Sequence, residues 1–364
     1  VRVFFAGGGT GGHLYPGLAI ARALVALRPE VRPHFVGARR GIEREVLPTT
    51  EFPFTLLDLH PLYRPQLWKN WRTLRGARSA WRGVSALAAA ERPRLIVGTG
   101  GYASGAALAW GVRHGVPIVQ HIGDAVPGHA ARLFARWSAE CYLGFADAAP
   151  LLPPPLARYQ VTGNPIEPPP TPRPDAADAR RRWGAAADAT VVLVFGGSQG
   201  SLALNTAVAG WVAQGLPSNV FLLWATGRNT YDRFAALERP GVRIIPYLSP
   251  ISDAYAAADL AVVRGGMMGT AELCAWGIPM VVVPLPTAAA DHQTKNALAL
   301  ERAGAAIHLP QQGLTGAQLA TVVGGLLADG SRRAALAAGA LALAKPDAAL
   351  TIATRIATLL ASSR

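Results

Sequence analysis

Cysteine is nearly missing from this 364-residue chain, and acidic residues are scarce. The two cysteines, Cys141 and Cys274, lie far apart and match no metal-ligand spacing. They predict no disulfide framework and no structural metal, and they fit a reducing compartment. Uninterrupted apolar runs are also missing. Residues 191–227 carry no charge, but Gly196, Gly197, Gly200, Gly210, Gly215 and Pro217 break the stretch, with Asn205, Gln214 and Asn219. A spanning helix needs about 20 predominantly apolar residues in a row. The stretch therefore reads as strand, helix, strand, and no membrane span is expected. Residues 1–6 (VRVFFA) run into a glycine loop where a signal peptide would have its cleavage site, so no leader is expected either.

What is present is a globular composition, 51% hydrophobic and 16% charged, long enough for two domains. The net charge of +13 is unevenly placed: residues 1–163 carry +10 and residues 164–364 carry +3. A basic N-terminal half suggests an anionic partner, whether phosphate, nucleic acid or an acidic membrane.

Short apolar runs alternate with Ala/Leu/Arg-rich helical stretches, the pattern of βαβ units on a parallel sheet. Strands are expected near 2–6, 33–37, 94–98, 117–120 and 140–144, and again near 190–195, 220–225, 242–245, 259–263 and 279–283. The proline-rich stretch 150–174 separates the two sets and reads as an extended linker. VRVFFAGGGTGGH (1–13) and VVLVFGGSQGS (191–201) echo one another, each an apolar strand opening into a glycine turn. The expected architecture is α/β, with two Rossmann-like, doubly wound parallel-sheet domains facing each other across a cleft. The divisions fall at 1–163, 164–345 and 346–364. The last segment reads as a helix that packs back across the domains.

Gly7, Gly9 and Gly12 satisfy G-x-G-x-x-G after a strand. A dinucleotide-binding Rossmann domain also needs an acid at the end of its second strand. That strand ends in Phe35-Val36-Gly37-Ala38-Arg39, and Glu30 lies before it, so the dehydrogenase reading loses its confirming feature. The physics of the loop remains: glycines let backbone approach a phosphate, and a helix N-terminus presents free N–H groups. Gly196–Gly200 and Gly265-Gly266 offer two more such places. None carries the Lys-Ser/Thr ending of a P-loop, which argues against ATP hydrolysis.

In order along the chain, GGGTGGHLYPGLAIA (7–21), VGTGGYASG (97–105), GNP (163–165), FGGSQGSLALN (195–205), the Arg264–Glu272 stretch and DHQTKNALALERAGAA (291–306) resemble the MurG family of glycosyltransferases, family 28. The resemblance covers nearly the whole chain. It implies the GT-B fold and inverting transfer of N-acetylglucosamine from UDP-N-acetylglucosamine (UDP-GlcNAc) to the 4-hydroxyl of the muramyl sugar of undecaprenyl-pyrophosphoryl-MurNAc-pentapeptide (lipid I), giving lipid II for the peptidoglycan cell wall. It places the acceptor on the N-terminal domain and the donor on the C-terminal one. No metal and no cofactor are expected, because no acidic cluster resembles a metal-dependent sugar-transfer site.

The implied acceptor-diphosphate residues are Gly9, Thr10, Gly11, Gly12 and Tyr102. His13, near a helix N-terminus whose dipole disfavours imidazolium, is a candidate general base or acceptor-positioning group. His121, just past a strand end, is a second acid/base candidate. On the donor side the resemblance implies Ser198 for the UDP diphosphate or the cleft, Tyr247 and Leu248 flanking the uracil, and Arg264 as added positive charge near the diphosphate or as an anchor of its loop. It further implies backbone at Met267, Met268 and Gly269 for phosphate, Glu272 for the ribose hydroxyls, and Gln293 for the sugar, with Asn296 as its weaker neighbour. Asp124 and Asn164 complete the set. Two positions depart from the family pattern: His-Glu-Gln-Asn becomes His121-Ile122-Gly123-Asp124, and Asn-Pro-Val-Arg becomes Asn164-Pro165-Ile166-Glu167, reversing a charge expected near the nucleotide.

Residues 60–82 hold six basic residues, three tryptophans and no acid. Leu67, Trp68, Trp71, Arg72, Arg75, Arg78 and Trp81 suit an anionic bilayer surface. Such residues also stack on nucleic-acid bases; a lipid-linked acceptor favours the membrane, with no nucleic acid as partner. The expected location is peripheral, on the cytoplasmic face of the bacterial inner membrane. Other readings of the same fold are a related transferase with another donor, or with a lipid or natural-product acceptor, a UDP-GlcNAc 2-epimerase-like enzyme, and a non-catalytic nucleotide-sugar binder.

Overall fold

A computed structural model describes residues 1–59, 70–197 and 199–362, the side chains of 70–75 excepted. The chain forms two compact units: Val1–Ile166 with Pro346–Arg364, and Glu167–Lys345.

Unit 1 contains strands β1 (Arg2–Gly7), β2 (Arg32–Ala38), β3 (Phe54–Leu57), β4 (Leu95–Gly100), β5 (Ile118–Ile122), β6 (Ser138–Leu143) and β7 (Tyr159–Val161). Its helices are α1 (Gly11–Leu27), α2 (Glu43–Val46), α3 (Asn70–Glu91), α4 (Gly105–His114) and α5 (His129–Ala135). The described strands form one parallel sheet in the order β3-β2-β1-β4-β5-β6-β7. β1 is apolar from Val3 onward because both faces are covered. Val3 and Phe5 pack with Leu14, Leu18 and Leu24 of α1, whereas Phe4 and Ala6 pack with Ala80 and Val84 of α3 and Leu108 of α4.

Unit 2 contains β8 (Thr190–Phe195), β9 (Val220–Ala225), β10 (Val242–Ile245), β11 (Leu260–Val263), β12 (Met280–Val282) and β13 (Ala306–His308), ordered β10-β9-β8-β11-β12-β13 and again parallel. Its helices are α6 (Ala176–Trp183), α7 (Leu202–Gln214), α8 (Tyr231–Phe234), α9 (Ile251–Ala257), α10 (Met267–Trp276), α11 (His292–Arg302), α12 (Gly316–Ala328) and α13 (Gly330–Leu343). Fully buried Trp224 donates its indole N–H to Asn205 Oδ1 at 2.9 Å, while Asn205 Nδ2 donates to Thr226 O at 2.8 Å.

The final helix, α14 (Ala348–Ser362), belongs to unit 1. Ile352, Ile356 and Leu360 join the α1 face of the core. Arg355 clasps Glu140 with two hydrogen bonds of 2.7 and 2.6 Å. Among the described residues, Gly330–Ser362 is long and apolar enough to cross a membrane. It is interrupted at Ala344–Asp347, between α13 and α14.

All ten expected strands are present. The three that the sequence did not suggest, β3, β7 and β13, are three- or four-residue edge strands, too short to show a period. The expected linker at 150–174 is corrected. Its first part folds with unit 1, as 3-10 turns at Ala146–Leu151 and Leu156–Arg158 followed by β7. Proline is compatible with tight turns, so its density there marks turns and an edge strand in place of free chain.

Candidate active site

Strand order reverses between β1 and β4 in unit 1, and between β8 and β11 in unit 2. In doubly wound sheets, ligands bind beyond the carboxyl ends of the strands at such reversals. The loops that leave these four strands are the glycine-rich ones.

In unit 1 the loop after β1 passes through Gly8 (φ +150°) and Gly9 (φ +90°) into α1. The N-cap of α1, Thr10, makes no side-chain cap. Among the described residues no acceptor meets the Gly11 and Gly12 N–H groups, which leaves an anion-ready helix start. The loop after β4 lies against it: Gly8 N–H donates to Gly100 O at 3.3 Å, and Thr99 Oγ1 donates to His13 O at 2.7 Å. Gly100 (φ +98°) and Gly101 (φ +73°) leave space for the His13 ring. A Cβ on Gly100 would stand 2.7 Å from His13 Nδ1, and one on Gly9 would stand 2.8 Å from the Tyr102 ring. Gly9, Thr10, Gly11, Gly12, His13 and Tyr102 are therefore gathered at one place.

His121 is only 2% exposed. Its Nε2 lies 3.1 Å from Asn164 Oδ1, while Asn164 Nδ2 donates to Gly123 O at 3.1 Å. That arrangement makes Nε2 the protonated nitrogen of a neutral ring and leaves Nδ1 buried without a hydrogen bond. Burial pushes the His121 pKa down to about 4; Asn164 opposes this, His13 adds to it and Asp124 opposes it. The geometry suits a group that positions Asn164 better than one that exchanges protons with substrate. Ile122, the first departure from the family pattern, is core: it packs with Cys141, Leu143 and Tyr159.

In unit 2 the N-cap of α10 is Gly266, which has no side chain to cap the first turn that holds Met268 and Gly269. Glu272, one turn on, accepts from the Tyr255 hydroxyl at 2.6 Å. Burial pushes its carboxyl pKa up, the Tyr255 hydrogen bond pulls it down, and nearby Glu167 pushes it up again. Tyr247 is 46% exposed, with the Arg228 guanidinium 5.1 Å from its ring centroid; Leu248 is buried. Gln293 Oε1 accepts from Leu285 N–H at 3.0 Å, which fixes the orientation of its amide. Asn296 is fully buried and donates to Gly265 O at 3.0 Å, which makes it part of the framework.

Arg264 is held by the loops around it. Its guanidinium donates to Val283 O at 3.0 Å, Pro284 O at 3.1 Å, Gln311 Oε1 at 2.6 Å and Ser201 Oγ. Ser201 in turn caps α7. Four hydrogen bonds from its two terminal nitrogens tie the end of β11 to the neighbouring loops, and burial lowers the Arg264 pKa to about 10.

Ser198, Leu67 and Trp68 lie outside the described residues, as do the side chains of Trp71, Arg72 and Arg75. On α3 the described Arg78, Trp81 and Arg82 are exposed, and the Trp81 ring lies 6.0 Å from that of His114. Sequence reasoning missed Tyr255 and Glu43. Neither belongs to a glycine motif, and each acts through a contact made only by folding. Glu43 does follow Gly37 and Gly41 at close spacing, which was the available signal.

Comparisons with known proteins bear on the family and the fold. Residues 3–143 match the glycosyltransferase family 28 N-terminal domain, and residues 191–352 match the family 28 C-terminal domain. The UDP-N-acetylglucosamine--N-acetylmuramyl-(pentapeptide) pyrophosphoryl-undecaprenol N-acetylglucosamine transferase of Salinibacter ruber is 38% identical, over 98% of this chain and 96% of its own length. That of Moorella thermoacetica is 36% identical over 96% of each. MurG of Acinetobacter baumannii superposes with a TM-score of 0.78 at 24% identity, covering 98% of this chain and 99% of its own. A UDP-N-acetylglucosamine 2-epimerase shares the fold too (TM-score 0.66, 12% identity, 99% and 96% covered), so the fold alone does not choose between these chemistries. The GT-B architecture is common to them, and the family-specific sequence makes the choice: this chain belongs to glycosyltransferase family 28.

Proposed function

We propose that the chain is an N-acetylglucosaminyltransferase that moves N-acetylglucosamine from its UDP donor to the muramyl 4-hydroxyl of lipid I, forming lipid II. The observation that carries this reading is full-length kinship, above 35% identity, with transferases of that name. In one displacement the acceptor oxygen bonds to the anomeric carbon, the bond to UDP breaks with inversion, and the hydroxyl proton passes to a base. His13 supplies that base, or positions the hydroxyl, beside the open Gly11 and Gly12 amides that hold the acceptor diphosphate. Glu272 accepts from the ribose hydroxyls, backbone at Met267, Met268 and Gly269 meets the donor diphosphate, Tyr247 and Leu248 flank the uracil, and Gln293 pairs with the sugar. Backbone amides aimed at the departing charge stabilise it electrostatically. Asp124 and Asn164 shape the end of unit 1, and Ser198 lies in the glycine loop that completes the donor site.

The same reading gives the exposed Arg78, Trp81 and Arg82 an anionic bilayer as partner, where tryptophan settles at the headgroup level and arginine pairs with lipid phosphate. It places the enzyme peripherally on the cytoplasmic face of the inner membrane.

The deciding experiment is transfer of labelled N-acetylglucosamine from UDP to a lipid I analogue. The expected result is transfer that prefers the N-acetyl sugar to glucose and collapses in His13→Ala. Donor binding without transfer would redirect the search to another acceptor. In parallel, Arg78→Ala/Arg82→Ala should weaken binding to anionic liposomes; unchanged binding would remove this face of α3 from the membrane contact.

A further inference from the structure

Glu43 is the most completely enclosed acid in unit 1, with no exposed surface, and it lies directly beneath the first glycine loop. Its Oε2 accepts from Gly9 N–H at 2.9 Å and its Oε1 accepts from Ala38 N–H at 3.0 Å. One side chain therefore bridges the loop after β1 to the end of β2. Three glycines make room for it. A Cβ on Gly8 or Gly41 would run into the carboxylate, and one on Gly37 would stand 2.9 Å from Glu43 Cγ. A carboxylate is the side chain that accepts on both oxygens; a glutamine accepts on one and turns N–H groups toward the other donor. Charge-assisted hydrogen bonds from backbone amides are also stronger than neutral ones.

Gly8 and Gly9 both adopt positive φ, so nothing in their own covalent structure selects this shape over others. Glu43 selects it. By taking the Gly9 N–H it turns that donor inward and leaves the Gly11 and Gly12 amides as the donors that face a ligand. We propose that Glu43 is a positioning residue for the acceptor diphosphate: an internal carboxylate that fixes the Gly8–Gly9 backbone so that the start of α1 is preorganised for a pyrophosphate. The proposal rests on the reading that this loop holds the diphosphate of a lipid-linked acceptor. Glu43 does not touch substrate and takes no part in proton transfer.

The test compares the full-length wild type with Glu43→Gln and, as a second route to the same disturbance, Gly37→Ala, which crowds the Glu43 stem. Three quantities are read: kcat/KM for a lipid I analogue, the affinity for UDP, and hydrogen exchange at the Gly9 amide. Preorganisation predicts faster exchange at Gly9 and a kcat/KM loss for acceptor of about tenfold to a hundredfold, the size expected for small misplacements near a reacting centre. UDP affinity should stay within about twofold, because UDP is assigned to the other unit. A purely structural role would lower UDP affinity and acceptor use together. Faster exchange with unchanged acceptor kcat/KM would overturn the proposal, as would unchanged exchange in both variants. A wild type that transfers nothing to the analogue overturns the functional reading, and the proposal with it, before any variant is made.

Discussion

The Tyr255 hydroxyl donates to Glu272 at 2.6 Å, joining α9 to α10 at the acid assigned to the donor ribose. Burial holds the Glu272 pKa above its ordinary 4.5, and Tyr255 opposes that shift. A raised carboxyl pKa means the folded chain keeps a proton that the unfolded chain releases. This group's effect on stability is therefore neutral below about pH 4.5 and turns unfavourable as pH rises through the raised value. On the proposed reading, in which the Glu272 carboxylate accepts from the ribose hydroxyls, UDP affinity should increase across the same window. Tyr255→Phe should move that inflection to higher pH and weaken UDP binding at neutral pH by several-fold. Calorimetric titrations at several pH values check this; a flat profile shared by both proteins would refute it.

His121 should leave its own mark on acid stability. Its folded pKa, about 4, lies below the ordinary 6.5 because the ring is buried. Above pH 6.5 both states are neutral and the full stability is present. As pH falls from 6.5 toward 4 the unfolded chain takes up a proton that the folded one refuses, so stability is lost, on the order of 3 kcal/mol. His121→Gln keeps a donor for Asn164 and does not titrate. Urea unfolding between pH 4.5 and 7.5 should show a shallower pH slope for the variant; parallel slopes would contradict the assignment.

Arg264 should behave as a framework residue. Replacing it with Lys removes the fork that reaches Val283 O, Pro284 O, Ser201 and Gln311 together. Stranding these partly buried acceptors should cost about 2–3 kcal/mol in denaturant unfolding. A loss of UDP affinity at full stability would instead return Arg264 to the ligand.

Gly100→Ala tests how the two loops of unit 1 depend on each other. The new methyl would meet His13 Nδ1 and force φ +98° on a residue with a Cβ. The expected outcome is about 1–2 kcal/mol of lost stability and at least roughly tenfold slower transfer, with UDP affinity unchanged. Wild-type transfer rates would show that the His13 ring is free to move aside without consequence.

Ala290 and Asp291 both have φ +54° immediately before α11, the helix of Gln293. Ala290→Gly should relieve the strain and raise unfolding stability by about 1 kcal/mol. If sugar recognition uses the strained backbone, KM for the donor should rise as stability does. A destabilised variant would speak against strain at this position.

The sequence by itself determined the number and type of the long elements. Apolar runs such as VRVFFA and VVLVF must be buried on both faces, which only helices packed on a parallel sheet provide. It also determined the chemistry on offer, since glycine-rich turns into helices present free backbone N–H groups suited to an anion. It could not determine which residues stand behind those turns. Glu43 reaches Gly9 across thirty-four positions, and Arg264 reaches Ser201 across sixty-three. No local period encodes such distances, so sequence alone does not single out Glu43 and leaves Arg264 open between a ligand cation and a loop anchor. The edge strands β3, β7 and β13 were hidden for a related reason. Each is three or four residues long and is a strand only because a neighbour in the sheet supplies its hydrogen bonds. Pairing between distant segments and burial of charge are properties of the packed chain, and tertiary structure alone decides them.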